Sequence, residues 1–277
     1  MNALLAPTWA VRPLTGSIGA EIEGLDLRHA TDDDIAHIKK AFLEHCVLVF
    51  RGQDLQPEDQ VAFAEKLGQV YRFKKDKVDF GSDELPSGIL KLSNVGKEKT
   101  ITERWHFDGM YLEKPPAVCI LAAKELPPQG GDTIWANQYL AYETLSKPMR
   151  DIISRLRYLY QGGRITQRYE GNDVPETAWQ PAVRRHPESG RDALYVGHPE
   201  QALHFEGMTR EESEPLLRFL YTHGQRPDFC YRHIWKKGDV LMWDNRCTMH
   251  FAVHDYGMQP RLMHRITLNG DVAVGPA

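Results

Sequence analysis

The chain has 277 residues, of which 42% are hydrophobic and 26% charged, with a formal net charge of −4. That composition is ordinary for a globular protein, and the length suffices to bury a sizeable core as a single domain over 1–277. The mild acidity gives no overall electrostatic reason to bind nucleic acid or an anionic membrane surface, and no apolar run approaches the roughly 20 residues of a membrane span.

In chain order, "TDDDIAHIKKAFLEHCVLVF" predicts a helix running into a strand. Thr31 caps, acids fill the first turn, and Ile35, Ile38, Phe42 and His45 recur at helical spacing. Cys46 to Phe50 is a short apolar run typical of a buried strand. "QPEDQVAFAEKLG" predicts a second helix, with Pro57 in its first turn and Gly68 past its end. Strand-like pieces then dominate: "GILKLSNV", "AVCILAAKEL", "DTIWANQ", "DALYVG", "CYRHIW", "DVLMWDN" and "RLMHRITLNGD". Turn signals such as "PPQGGD", "PESGR" and "KKGD" separate them. Further helices are expected over about 138–157 and over 209–223, the latter with a Thr209–Glu212 capping box. Many short strands with a few flanking helices predict a mainly β protein with a β-sandwich or jelly-roll core. No βαβ rhythm, G-x-G-x-x-G or P-loop is present.

Four widely spaced cysteines, Cys46, Cys119, Cys230 and Cys247, form no C-x-x-C pair and read as reduced thiols of a cytoplasmic protein. The start, "MNALLAPTWAVRPLTGS", has no basic segment ahead of a long apolar one, so no secretory leader is expected.

The candidate chemistry begins in "RWHFDGMYLEKPP". If "WHFDG" is extended, His106 and Asp108 share one face, and Trp105 and Phe107 pack on the other. Alone, that pair is better explained by a structural ion pair. His250 follows a turn, an apolar strand and the polar corner "DNR", and is expected just past a strand end, where rigid scaffolds present chemistry. In "RLMHRITLNGD", Arg261, Met263, Arg265 and Thr267 share one strand face. Two arginines there need anions, from the protein or from a ligand, unless the face is solvated. His264 lies on the opposite face and reads as a satisfied core histidine. Two histidines with one carboxylate make the facial triad that suits non-haem iron(II) and leaves coordination positions open. A nearby arginine suits the far carboxylate of a co-substrate.

Together these residues resemble the taurine dioxygenase family of Fe(II)/2-oxoglutarate-dependent oxygenases. The likeness spans "GAEIEGLDL", "CVLVFRGQDLQPEDQVAFAEKLG", "WHFDGMYLEKPP", "LAAKELPPQGGDTIWANQYLAYETLS", "HPESGRDALYVG", "GDVLMWDNRCTMH" and "RLMHRITLNGD", in the family order over nearly the whole chain. The resemblance implies a double-stranded β-helix, or jelly roll. It also implies His106, Asp108 and His250 as ligands of Fe(2+), and Thr133 and Arg261 on the distal carboxylate of 2-oxoglutarate. Arg265 matches a position that contacts the substrate's anionic group. The implied reaction consumes O2 and hydroxylates a C–H of an anionic small molecule, with release of succinate and CO2. Family members commonly form homo-oligomers.

The departures lie around the substrate. The family's taurine enzyme has a sulfonate-contacting histidine where this chain reads "QVYRFKKDKVDFG", and an asparagine where it has Thr102. Gly109 follows the aspartate in place of a bulkier residue, and Tyr111 is a candidate pocket wall. A roomier pocket for a larger anion is expected. Arg72, Lys74, Lys75 and Lys77 form either a solvated loop or part of an anion site, beside a candidate lid over 72–88. A different oxidative outcome on the same iron centre and a non-catalytic jelly-roll sensor are the alternatives. The intact carboxylate at Asp108 disfavours halogenation.

Overall fold

The computed structural model describes residues 6–72, 85–94, 103–162 and 177–276. Its first part contains strands β1 (Ala10–Pro13) and β2 (Ala20–Glu23), helix α1 (Asp32–His45), β3 (Val47–Phe50), helix α2 (Pro57–Leu67), β4 (Ile89–Ser93), β5 (Val118–Glu125) and β6 (Thr133–Asn137). Helices α3 (Gln138–Glu143) and α4 (Lys147–Ile153) lead into β7 (Arg157–Gln161), β8 (Thr177–Pro181), β9 (Val183–Arg185), β10 (Asp192–Leu194) and β11 (Ala202–Phe205). Helix α5 (Arg210–His223) precedes β12 (Cys230–His233), β13 (Val240–Asp244), β14 (Thr248–Ala252) and β15 (Leu262–Leu268).

A seven-stranded sheet runs β1-β2-β3-β13-β5-β15-β4, and a three-stranded sheet runs β12-β6-β14. An isolated antiparallel bridge between His106 and His250 extends the smaller sheet past β14. These two sheets form the expected jelly roll. The larger one is buried on both faces, so side chains alternate between two cores. Ile120 and Ala122 of β5, Val240 and Met242 of β13, and Ile266 of β15 meet Ile35, Ile38 and Phe42 of α1 and Phe63 and Ala64 of α2. Cys119 and Leu121, Leu241 and Trp243, and Met263 point the other way, toward Trp135 of the smaller sheet. A third core joins Phe107, Tyr158, Tyr195, Leu217 and Met249 under α5.

The local signals explain the helices. Thr31 and Asp34 close a capping box on α1, and Thr209 and Glu212 close one on α5. The helix expected over 138–157 is instead two short ones. Ser146 caps α4 and Pro148 sits in its first turn, which restarts the chain in a new direction. Cys46 belongs to the end of α1 rather than to the strand. It caps the helix in the left-handed region at φ 62°, unusual for a residue with a Cβ. His250 lies within β14, not past a strand end. The strand is only five residues long and follows a polar corner, which hides it from periodicity. All four cysteines are free thiols. No helix among the described residues is long and apolar enough to cross a membrane.

His264 is buried, as expected, but it is not satisfied, because its Nδ1 has no hydrogen-bond partner. Burial, with Lys124 and Lys91 nearby, pushes its pKa down to about 4. The unfolded chain takes up this proton near pH 6.5. The native state therefore loses stability as pH falls from about 6.5 towards 4, because only the unfolded chain gains the proton in that window. A His264→Leu variant should match the wild type in urea unfolding at pH 8 and lose less stability between pH 6.5 and 4. Parallel curves through that window would show that His264 contributes nothing to the acid sensitivity.

Candidate active site

The site is assembled between the two sheets. His106 and His250 exchange both backbone hydrogen bonds, at 3.0 and 2.9 Å, which sets their rings 4.1 Å apart between centroids. The stretch after His106 is not extended. It turns at Asp108 and Gly109, so the carboxylate reaches the histidines by a turn rather than by strand alternation. Gly109 has φ +65°, and a Cβ there would sit 2.6 Å from Cδ of Pro116 and 3.3 Å from Leu112. Glycine at 109 is thus a requirement of the turn and of the packing beneath it. Tyr111 is 7% exposed and belongs to the core under α5.

His106 Nε2 lies 3.9 Å from Asp108 Oδ1, and His250 Nε2 lies 3.6 Å from Asp108 Oδ2. Candidate ligand atoms from all three residues fall within 4.8 Å of one another. Three donors held about 2.1 Å from one ion at right angles are separated by roughly 3 Å, so the spacing suits a single cation with little adjustment. The remaining contacts favour the same chemistry. His106 Nδ1 is 2.7 Å from the Arg104 carbonyl, which calls for an N–H there and leaves Nε2 with its lone pair. Burial pushes the His106 pKa below the ordinary value, and burial with the neighbouring His106 pushes His250 well below it. Burial opposes charge on Asp108, but Arg265, His250 and His106 outweigh it and hold the carboxyl below the usual carboxylate range. Two neutral imidazoles and a carboxylate, with no thiolate, form a donor set that fits iron(II).

Arg265 is turned toward the protein's own carboxylate. Its Nη2 is 2.8 Å from Asp108 Oδ2, and its Nη1 donates to Oδ1 at 3.1 Å. Arg261, just ahead of β15, donates from Nε to the Gly131 carbonyl at 3.1 Å. Among the described residues no carboxylate lies within ion-pair distance of Arg261. In β6, Thr133 is two residues from Trp135, which pairs with His250, so all three side chains face the same side. Thr133 Oγ1 accepts the Trp235 indole N–H at 3.0 Å, which leaves its own hydrogen to donate. The Arg261–Gly131 bond brings this arginine to the start of β6, beside Thr133.

The family model for the taurine catabolism dioxygenase TauD, TfdA family matches residues 10–267. The chain belongs to this family. It is 36% identical to an alpha-ketoglutarate-dependent sulfate ester dioxygenase of Pseudomonas putida, over 96% of this chain and 91% of that one. It is 31% identical to an alpha-ketoglutarate-dependent 2,4-dichlorophenoxyacetate dioxygenase of Cupriavidus pinatubonensis, over 86% and 90% of the two chains. The crystal structure of a taurine dioxygenase from Burkholderia xenovorans superposes with a TM-score of 0.85 at 37% identity, covering 98% of this chain and 92% of that one. The protein is an alpha-ketoglutarate (2-oxoglutarate)-dependent dioxygenase, an oxidoreductase of iron(II), 2-oxoglutarate and O2, and neither the sensor nor another oxidative outcome is favoured.

Several residues that shape the site carry no local sequence signal. Asn245 accepts from the Asp108 N–H at 2.8 Å and donates to the Asp108 and Pro116 carbonyls at 3.0 and 2.9 Å. The Asp244–Arg246 ion pair closes the polar corner at 2.7 Å, and Asn245 between them holds the Asp108 turn. His254 Nδ1 meets Glu103 Oε1 at 2.6 Å and so ties the segment after His250 to the one before His106. Cys119 reaches Asp108, and Trp235 reaches Thr133. His204 lies in β11, and the His198 ring stands edge-on to Tyr221, 5.1 Å away. Of the basic cluster, Arg72 pairs with Glu65 on the surface, while Lys74, Lys75, Lys77, Thr102 and most of the candidate lid lie outside the described residues.

An Asn245→Ala variant leaves a buried N–H and two carbonyls without partners, so it should lose about 2–3 kcal/mol in urea unfolding. Its metal affinity should fall as well. A loss below about 0.5 kcal/mol would show that the turn holds itself.

Proposed function

We propose that His106, Asp108 and His250 hold iron(II), that Arg261 and Thr133 bind the distal carboxylate of 2-oxoglutarate, and that the enzyme hydroxylates an anionic small organic molecule of the alkyl sulfate, sulfonate or phenoxyalkanoate type. The observation that carries this reading is the convergence of two neutral imidazoles and one buried carboxylate, in a family of 2-oxoglutarate-dependent dioxygenases. The chemistry that iron(II) supplies when bound is oxidative decarboxylation of 2-oxoglutarate, with one oxygen atom ending in succinate and the other in the substrate C–H bond.

The protein's own share is placement. The bond from Nε to Gly131 fixes Arg261, leaving its terminal nitrogens for a bidentate, charge-assisted pair with the co-substrate carboxylate. The Thr133 hydroxyl, oriented by Trp235, adds a second donor. Trp243, with its ring 4.9 Å from His250, walls the inner side with apolar surface and keeps water from the reacting centre. The substrate class draws support from the relatives that act on sulfate esters and on 2,4-dichlorophenoxyacetate. A homo-oligomer is part of the proposal through the family resemblance, and a cytoplasmic setting suits the free thiols.

A succinate-release screen over alkyl sulfates, sulfonates and phenoxyalkanoates tests the assignment. At least one class should stimulate release severalfold over the substrate-free rate, and Asp108→Ala should abolish it. Wild-type turnover by Asp108→Ala would refute the triad. Arg261→Met should raise the 2-oxoglutarate KM by about tenfold or more, the effect of losing a charge-assisted bidentate pair. An unchanged KM would remove Arg261 from the co-substrate site.

A further inference from the structure

The ligand carboxylate is gripped from behind by two side chains of the larger sheet. Arg265 Nη1 donates to Asp108 Oδ1 at 3.1 Å, and its Nη2 makes an ion-pair contact with Oδ2 at 2.8 Å. Cys119, in the neighbouring strand β5, donates from Sγ to Oδ2 at 3.3 Å. The Arg265 Nη2 also donates to the same sulfur at 3.2 Å. Cys119 is fully buried and lies opposite Thr267, whose Oγ1 is 4.0 Å from the thiol. Oδ2 therefore carries the thiol hydrogen bond and the closer guanidinium contact, and Oδ1 carries one hydrogen bond. A hydrogen bond or a close cation withdraws charge from a carboxylate oxygen, so the less loaded oxygen is the better donor to a cation.

We propose that Cys119 is a positioning residue for the metal centre: with Arg265 it clamps Oδ2 and turns Oδ1 of Asp108 toward the metal. This rests on the triad reading above and adds a function for a thiol that makes no disulfide and lies behind the ligand set. The clamp spans two adjacent strands of one sheet, so the carboxylate plane is fixed by the sheet rather than by the turn that carries Asp108. Rotating the carboxylate out of this plane breaks the Arg265 fork and the S–H bond together. Arg265, the residue matched to the substrate anion, thereby also orients the ligand.

Cobalt(II) binding to the purified full-length protein, followed by its visible absorption without co-substrate, tests the proposal. Cys119→Ala and the near-isosteric Cys119→Val both remove the donor, whereas Cys119→Ser retains one. The two donor-free variants should weaken cobalt(II) binding about tenfold and change the band pattern, at a melting temperature within a few degrees of wild type. Cys119→Ser should stay within about threefold of wild type with the wild-type spectrum. Wild-type affinity and spectrum in both donor-free variants, or a Ser variant as weak as Ala, would overturn the clamp. Asp108→Ala should lose cobalt(II) altogether; undiminished binding there would overturn the triad reading itself.

Discussion

The site depends on one pair of backbone hydrogen bonds, those exchanged by His106 and His250. They join a segment that is otherwise turn to the edge of β14, and so set the separation of the two imidazoles through the main chain. Asp108 follows two residues later, and the Gly109 turn brings its carboxylate back toward both rings. Asn245, reaching across from the corner between β13 and β14, holds that turn at its N–H and its carbonyl. The ligand set is therefore preorganised by main-chain pairing and one amide, on a rigid sheet edge.

The charge placed between the sheets is the second constraint. A carboxylate there is costly unless its oxygens are matched by donors. Arg265 supplies the matching charge from β15, and its guanidinium carbon lies 5.7 Å from the centre of the Trp243 ring. Trp243 in turn faces His250, so one aromatic side chain touches both the arginine and the ligand histidine. Just ahead of β6, Asp255 accepts the Gly131 N–H at 2.8 Å, and the Gly131 carbonyl holds Arg261. The His106–Asp108–His250 cluster and Arg261 are thus anchored by separate contacts, and a substitution can disturb one without the other.

Much of this was legible in the residues. The helix starts are written in Thr31 and Thr209 with their acidic partners, and β5, β13 and β15 appear as apolar runs because the larger sheet is buried on both faces. The ligand triad was legible through the order of its surrounding segments rather than through H-x-D. What stayed hidden depends on distant neighbours. The strand β14 is short and follows a polar corner, and the strands β7, β8, β9 and β11 mix polar and apolar residues. The duties of Asn245 and Cys119 exist only where remote parts of the chain meet. Extension of "WHFDG" was the natural reading of alternating residues, yet the Gly109 turn reaches the same convergence by another route.

We infer that His106, Asp108 and His250 together present one cation to 2-oxoglutarate. Anaerobic addition of iron(II) and then 2-oxoglutarate, followed by visible absorption, measures this most directly, because the chelate has a weak charge-transfer band. The wild type should give a saturable band, at about one iron per chain, and His250→Ala should lose it. No band in the wild type, or an equal band in His250→Ala, would contradict it.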